Sequence, residues 1–269
     1  MLQKANLDGV QLEYEVHGAG EPVILIHGSV VADSYLPMMP EPSLSRYQLV
    51  RYRREGFGNS THPAAMISIR DQANDCVALM RHLKIARAHV AGHSYGGVIA
   101  LQLALDHPEL VHSLALLEPA LVGLIPNSAE FMAGMGPVMN TYQQGDKRGA
   151  LEGFLNWVAG PGYGAMFDSL PGSFEMALAD SDNFFAMEMP AMGEWRFTRD
   201  DAQRIQQPVL AMLGATSAPV FHEIHKLVQV WMPKAQAVTV PKANHMLQTV
   251  EPCAVAEVLA SFWATHPLR

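Results

Sequence analysis

Hydrophobic and polar positions follow two alternating patterns along the chain. Short, continuous apolar runs are typical of strands that are buried on both faces of a parallel sheet. Such runs occupy residues 22–26, 88–91, 113–117 and 208–213. Elsewhere, apolar side chains recur at helical spacing over residues 68–84, 97–105 and 251–265. Strands that alternate with helices predict an α/β fold with a doubly wound, mostly parallel sheet.

The pattern changes between residues 121 and 200. Strand-like runs disappear, glycine becomes frequent, and half of the 16 methionines lie in this segment. We predict a helical cap, or lid, over residues 121–200, inserted between two parts of an α/β core, residues 1–120 and 201–269. The methionines of the cap either fill gaps in its interior or form an adaptable apolar ceiling over a substrate pocket.

One serine lies where a predicted strand passes into a predicted helix. The segment reads Gly92-His93-Ser94-Tyr95-Gly96 and matches the nucleophile-elbow pattern G-x-S-x-G. A serine on such a turn has a strained backbone, and the glycines two residues before and after it remove Cβ atoms that would clash. We therefore predict that Ser94 is a nucleophile. The backbone N–H of Tyr95 would point to the place where negative charge develops.

A serine hydroxyl needs a base to take its proton, and the base needs an acid to fix its tautomer. Of the 12 histidines, His245 follows the last predicted strand on a loop. That position puts it at the carboxyl edge of the sheet, together with Ser94, and after the serine in the chain, as the order serine, acid, histidine requires. We predict that His245 is the base. His93 lies inside the elbow, and we expect its side chain to point away from the site.

Together these segments resemble the α/β-hydrolase family over nearly the whole chain. The matching pieces are the strand with its His-Gly pair at 22–29, the glycine loop at 56–60, the elbow at 92–97, the strand at 208–214 and the Asn-His-Met sequence at 244–246. The resemblance implies the α/β-hydrolase fold with its nucleophile at Ser94. It also implies that the backbone N–H groups of Ser29 and Tyr95 stabilise the oxyanion.

The acid is where this chain departs from the family pattern. The family usually carries a carboxylate a few residues after the strand at 208–214, but Ser217 stands in that place here. Glu118 ends the strand that follows the elbow helix, an arrangement that resembles the zearalenone lactonases and certain haloalkane dehalogenases. We predict that Glu118 is the third member of the triad. Asp200 or Asp201, placed before the strand, is the alternative.

Two further features have less specific signals. Trp195, near the end of the cap, either faces substrate or belongs to the core. The segment Arg53-Arg54-Glu55 follows a predicted strand. It either positions a group over the pocket or forms a solvated surface turn, and we favour the surface turn. No cluster of histidine, aspartate or cysteine has the spacing of a metal site, and no phosphate-binding or dinucleotide motif occurs, so we expect neither a metal nor a cofactor.

The composition disfavours some classes of binding partner. A net charge of −8 argues against nucleic acid or an anionic membrane as a partner. No run is long enough to cross a bilayer and no apolar signal core is present, so we expect a cytoplasmic location. The two cysteines, Cys76 and Cys253, lie among apolar residues of predicted helices, and we expect both to be reduced and buried.

These observations predict a serine hydrolase that cleaves a carboxylic ester or lactone through an acyl-enzyme on Ser94. The apolar cap suggests a small, moderately hydrophobic substrate. A serine nucleophile disfavours dehalogenase and epoxide hydrolase chemistry, for which the family uses aspartate. Two alternatives stay open. One is hydrolysis of a carbon–carbon bond, and the other is a ligand sensor of the same fold that keeps the triad but turns over slowly.

Overall fold

One sheet of eight strands runs through the computed structural model, which describes residues 2–268 apart from the side chain of Glu130. The strands are β1 Gln3–Leu7, β2 Val10–His17, β3 Glu21–Ile26, β4 Tyr47–Arg53, β5 Ala88–His93, β6 Val111–Leu117, β7 Val209–Gly214 and β8 Gln236–Val240. Their order across the sheet is β1-β2-β4-β3-β5-β6-β7-β8. Strand β2 pairs antiparallel with β1 and β4, and every other pair is parallel. The predicted doubly wound α/β fold is therefore confirmed.

Helices cover both faces of this sheet. They are α1 Ile69–His82, α2 Tyr95–Asp106, α3 Ser128–Gln143, α4 Lys147–Ala159, α5 Ser173–Ala179, α6 Met189–Glu194, α7 Arg199–Arg204, α8 Pro219–Trp231, α9 Leu247–Val250 and α10 Pro252–Ala264. One buried cluster joins α1, α2 and α8 to the sheet, and a second joins α10 to it. In β3, Ile24 belongs to the first cluster and Leu25 to the second, as the two-residue repeat of a strand requires. Across residues 2–268, no helix combines the length and the apolar character that a membrane span requires.

The chain between β6 and β7 is helical. Besides α3 to α7, it contains 3₁₀ turns at Val122–Leu124 and Tyr163–Ser169 and a π-helical stretch at Asn183–Glu188. No strand occurs within residues 118–208, whose backbone the structure describes throughout. The predicted cap at 121–200 falls within this segment.

The π-helical stretch packs against the loop that follows β4. Asp180 Oδ2 accepts a hydrogen bond from the N–H of Gly58 at 2.8 Å. Gly56 has a φ of +84°, and a Cβ there would lie 2.1 Å from Asn183 Oδ1, so only glycine fits this contact. Arg54 and Glu55 are only 2% and 7% exposed. The favoured interpretation of 53–55 as a solvated surface turn is therefore wrong: Arg53 pairs with Glu13 and Asp33 of the core, and Arg54 pairs with Glu188 of the cap.

The two cysteines have different surroundings. Cys76 lies on α1 and is fully buried, and burial raises the pKa of its thiol to about 12. Cys253 lies near the start of α10 and is exposed. Both are free thiols. The prediction that both are buried is therefore wrong for Cys253.

Candidate active site

Ser94 forms the turn between β5 and α2. Its φ is +51° and its ψ is −117°, a conformation that residues with a side chain rarely adopt. A Cβ at Gly92 would lie 2.4 Å from the carbonyl oxygen of Gly96, and a Cβ at Gly96 would lie 2.2 Å from that of Ile26. Both glycines are therefore required by close backbone contacts. The side chain of Ser94 is partly exposed and lines a pocket.

His245 and Glu118 are joined by a short hydrogen bond. The distance between His245 Nδ1 and Glu118 Oε2 is 2.7 Å, and both side chains are buried. Because Nδ1 faces the carboxylate, it carries the proton, and Nε2 is left as the basic nitrogen. His245 lines the same pocket as Ser94. The structure thus brings the predicted nucleophile, base and acid to one place.

The other oxygen of Glu118 is held by the loop that lacks the usual acid. Glu118 Oε1 accepts hydrogen bonds from the N–H of Gly214 and from the hydroxyl of Ser217, each at 2.6 Å. Ser217, which stands where the family usually has a carboxylate, therefore orients the carboxylate of Glu118. Glu118 itself has a φ of +45°, a strained backbone for a residue with a side chain.

The two alternative aspartates have other roles. Asp200 is exposed. Asp201 Oδ2 accepts hydrogen bonds from the N–H and the hydroxyl of Thr198 at 3.0 and 2.7 Å, which caps the N-terminus of α7. Within residues 2–268, no hydrogen bond or ion pair joins either aspartate to His245. The geometry favours Glu118.

Ser29 and Tyr95 are placed as a pair of backbone donors. Ser29 follows β3 and lines the pocket, and Tyr95 is the first residue of α2, directly after Ser94. In the part of the chain that the structure describes, neither backbone N–H donates to a protein acceptor. The side chain of Tyr95 is buried, and its hydroxyl accepts a hydrogen bond from Gln72 Nε2 at 2.9 Å. Only its backbone is therefore available to a ligand.

The pocket beside Ser94 has a volume of about 270 Å³ and a mostly apolar lining. Its ceiling comes from the helices between β6 and β7. The methionines and aromatic residues that line the pocket are Met132, Met135, Met189, Met192, Phe131, Phe154, Trp157 and Phe184 of this segment, together with Phe221 of α8. Half of the eight cap methionines thus line the pocket.

A larger cleft of about 590 Å³ lies near the starts of β7 and β8, at the opposite edge of the sheet, and none of the predicted site residues lines it.

Trp195 does not line this pocket. Its indole Nε1 donates a hydrogen bond to Gln102 Oε1 at 2.8 Å, and its ring stacks on Phe197 with a centroid distance of 5.1 Å. Of the two roles left open by the sequence, the structure places Trp195 in the packing between the cap and α2. The tryptophan at the pocket is Trp157.

His93 contacts the predicted base, which its position in the elbow did not suggest. Its Nε2 lies 2.8 Å from the carbonyl oxygen of His245, and the two ring centroids are 4.8 Å apart. Burial holds the pKa of His93 well below its usual range, so the ring is neutral and donates through Nε2. The ring of His245 also stacks on Phe221, with a centroid distance of 3.9 Å. Two aromatic neighbours therefore restrict the orientation of the His245 ring.

No group of three or more histidine, cysteine, aspartate or glutamate side chains is arranged to hold a metal ion among the described residues. The site is instead a serine, a histidine and a glutamate beside two backbone donors. This set of groups suits nucleophilic catalysis on a carbonyl.

Comparison with known proteins agrees with the observed fold. A family model described as the alpha/beta hydrolase fold matches residues 21–252. The chain therefore belongs to the α/β-hydrolase family.

Individual relatives differ in the reactions that their names give. The chain is 36% identical over 106 residues to RutD of Azorhizobium caulinodans, named as a carbamate hydrolase, and the match covers 39% of this chain and 40% of that protein. It is 38% identical over 117 residues to a 2-hydroxymuconate semialdehyde hydrolase of a Pseudomonas species, covering 42% and 41%. The chain thus matches about two fifths of the length of these relatives. A solved N-acyl homoserine lactone degrading enzyme is 25% identical, with a TM-score of 0.74, over 97% of this chain and 100% of that one.

Proposed function

We propose that this protein hydrolyses a carboxylic ester or a lactone of moderate hydrophobicity. The observation that carries the proposal is the 2.7 Å contact between His245 Nδ1 and Glu118 Oε2, beside a pocket that Ser94 and His245 both line. A histidine with its proton fixed on Nδ1 presents a basic Nε2 to a serine. The apolar lining favours a substrate with an apolar acyl group.

The chemistry begins with attack of Ser94 Oγ on the substrate carbonyl, while His245 Nε2 accepts the hydroxyl proton. Glu118 stabilises the imidazolium that forms. The new oxyanion accepts hydrogen bonds from the N–H groups of Ser29 and Tyr95. Collapse of the tetrahedral intermediate breaks the bond between the carbonyl carbon and the leaving oxygen, and that oxygen takes the proton from His245 Nε2. A water molecule, deprotonated by the same nitrogen, then hydrolyses the acyl-enzyme.

Two observations bear on the bond that is cleaved. The relative that degrades N-acyl homoserine lactones matches nearly the whole chain and supports a lactone or ester. The 38% identical relative is named as a hydrolase of 2-hydroxymuconate semialdehyde, which supports hydrolysis of a carbon–carbon bond as the second candidate.

Steady-state hydrolysis of a p-nitrophenyl ester series from acetate to decanoate tests the proposal, with N-acyl homoserine lactones assayed by proton release. We expect many turnovers per enzyme molecule, because the triad regenerates itself once water has removed the acyl group. A single burst without further turnover would contradict the proposal and favour a ligand sensor. Turnover of a vinylogous 1,5-diketone without ester hydrolysis would favour the carbon–carbon hydrolase.

The length of acyl chain that fits should depend on Trp157. Its ring lies 3.7 Å from that of Phe131, and both side chains also line a neighbouring cleft of about 330 Å³ near Glu223. Trp157→Ala would join the two spaces. We expect kcat/KM for the longest esters to rise by about tenfold relative to the shortest, the effect of roughly one well-packed methylene group.

The matched control is Trp195→Phe, which changes a cap tryptophan outside the pocket. The chain-length profile of this variant should match that of the wild type. A shift in the profile of Trp195→Phe, with none for Trp157→Ala, would show that the other tryptophan faces the acyl group.

A further inference from the structure

The peptide group between Gly28 and Ser29 is held through its carbonyl oxygen. The oxygen of Gly28 accepts hydrogen bonds from Arg54 Nη2 at 3.0 Å and from His27 Nδ1 at 2.7 Å. The N–H of Arg54 donates to His27 Nε2 at 3.0 Å, so the proton of this neutral ring is on Nδ1. The N–H of the same peptide group is the oxyanion donor of Ser29. Hydrogen bonds to a peptide carbonyl polarise the group and make its N–H a stronger donor.

Arg54 contacts both parts of the oxyanion hole. Its guanidinium carbon lies 4.8 Å from the ring centroid of Tyr95, whose backbone N–H is the second donor. Gln72 joins the same two residues, since its Oε1 accepts from Arg54 Nη1 and its Nε2 donates to the hydroxyl of Tyr95. Arg54 Nε also donates to the carbonyl oxygen of His27 at 3.3 Å. A single buried cation therefore fixes the two segments that supply the N–H groups.

The counterion of Arg54 comes from the cap. Glu188 Oε1 lies 2.6 Å from Arg54 Nη2, and each side chain is only 2% exposed. Burial raises the pKa of Glu188, while Arg54 and the hydroxyl of Ser29 act in the opposite direction. In the part of the chain that the structure describes, no donor meets hydrogen-bond geometry at either oxygen of Glu188, so its contacts with Arg54 and with the Ser29 hydroxyl are mainly electrostatic. A buried ion pair of this kind contributes little to stability, because both charges lose their hydration.

The backbone beside Ser29 is strained. Val30 has a φ of +58°, although a β-branched residue is strongly disfavoured in the left-handed region. Such a conformation persists only where the surroundings impose it, and it is found at functional sites. The contacts of Arg54 with His27 and Gly28 are the surroundings that hold this loop.

We propose that Arg54 and Glu188 are positioning residues of the oxyanion hole: Arg54 orients and polarises the Gly28–Ser29 peptide group, and Glu188, on the cap, helps to hold Arg54 there. This inference rests on the proposed function. The ion pair joins residues 134 positions apart in the sequence. It therefore couples the position of the cap to the strength of the Ser29 donor.

The test is the double variant Arg54→Met/Glu188→Met, which removes both charges and leaves neither partner buried alone. We expect kcat to fall by about tenfold to a hundredfold, less than the loss of a whole oxyanion donor, while KM changes by less than about twofold. Glu188→Gln should lower kcat by less than the double variant does. Arg54→Lys, which keeps the positive charge, should retain more activity than the double variant. Lys147→Met removes an exposed ion pair of the cap, also 2.6 Å long, and should leave kcat unchanged.

Ketone inhibitors separate positioning from folding. An alkyl trifluoromethyl ketone forms a hemiketal oxyanion with a serine, whereas the matching methyl ketone binds without one. In the double variant, the inhibition constant of the trifluoromethyl ketone should rise by the same factor as kcat falls. The inhibition constant of the methyl ketone should not change. A folded double variant with wild-type kcat and trifluoromethyl ketone affinity would overturn the inference. Absence of Ser94-dependent turnover and ketone binding in the wild type would overturn the proposed function instead, and the inference with it.

Discussion

Replacing Ser94 by alanine should abolish turnover, with a fall in kcat of about 10⁶, the size seen when the nucleophile of a serine hydrolase is removed. The reason is that Ser94, at the turn between β5 and α2 and beside the pocket, supplies the hydroxyl that attacks the carbonyl. The measurement is steady-state hydrolysis of the best p-nitrophenyl ester, with the wild type assayed alongside.

The same variant should keep its fold. Alanine retains the Cβ of Ser94, and the side chain is partly exposed, so little packing is lost. We expect the melting temperature to stay within about 4 °C of the wild type, which corresponds to roughly 1 kcal/mol for a chain of this size. Retention of ester turnover in a folded Ser94→Ala protein would contradict the proposed mechanism.

Replacing Glu118 by glutamine should lower kcat by about 10⁴, as expected when the acid of a triad becomes an amide. A glutamine side chain can turn its NH₂ group towards His245 Nδ1, which would place the ring proton on Nε2 and remove the base. It would also lose the negative charge that stabilises the imidazolium. Because glutamine has the same shape, the hydrogen bonds from Gly214 and Ser217 can still reach its carbonyl oxygen.

Asp201→Asn is the matched control for this prediction, since Asp201 is the alternative acid. Its carboxylate caps α7 through Thr198, so its loss should cost about 1 kcal/mol of stability and leave kcat unchanged. If Asp201→Asn lowers kcat by orders of magnitude while Glu118→Gln does not, the assignment of the acid is wrong. The two variants therefore decide between the carboxylates that the sequence allowed.

Glu118 shows how much of this site could be predicted from the sequence. The end of a strand is predictable from its apolar run, and the carboxyl ends of parallel strands meet at one edge, so Glu118 could be placed near His245 from spacing alone. The part played by Ser217 could not, because its hydrogen bond to Glu118 spans 99 positions in the sequence. The same limit applies to Trp157, on α4, and to Trp195, directly after α6. Which of them faces the pocket depends on how the cap helices pack against one another and against α2.

Local geometry could be predicted from the amino-acid sequence: the alternation of strands and helices, the tight turn at Ser94 with its two glycines, and the position of His245 after the last strand. These features depend on backbone sterics and on burial patterns within a few residues of each other. Three features depend on long-range packing: the volume and lining of the pocket, the contacts of the His245 ring with His93 and Phe221, and the burial of Arg54 against Glu188. Those contacts join residues far apart in the chain. A charged segment such as 53–55 is therefore predicted to be solvated, because its local sequence does not show which distant residues bury it.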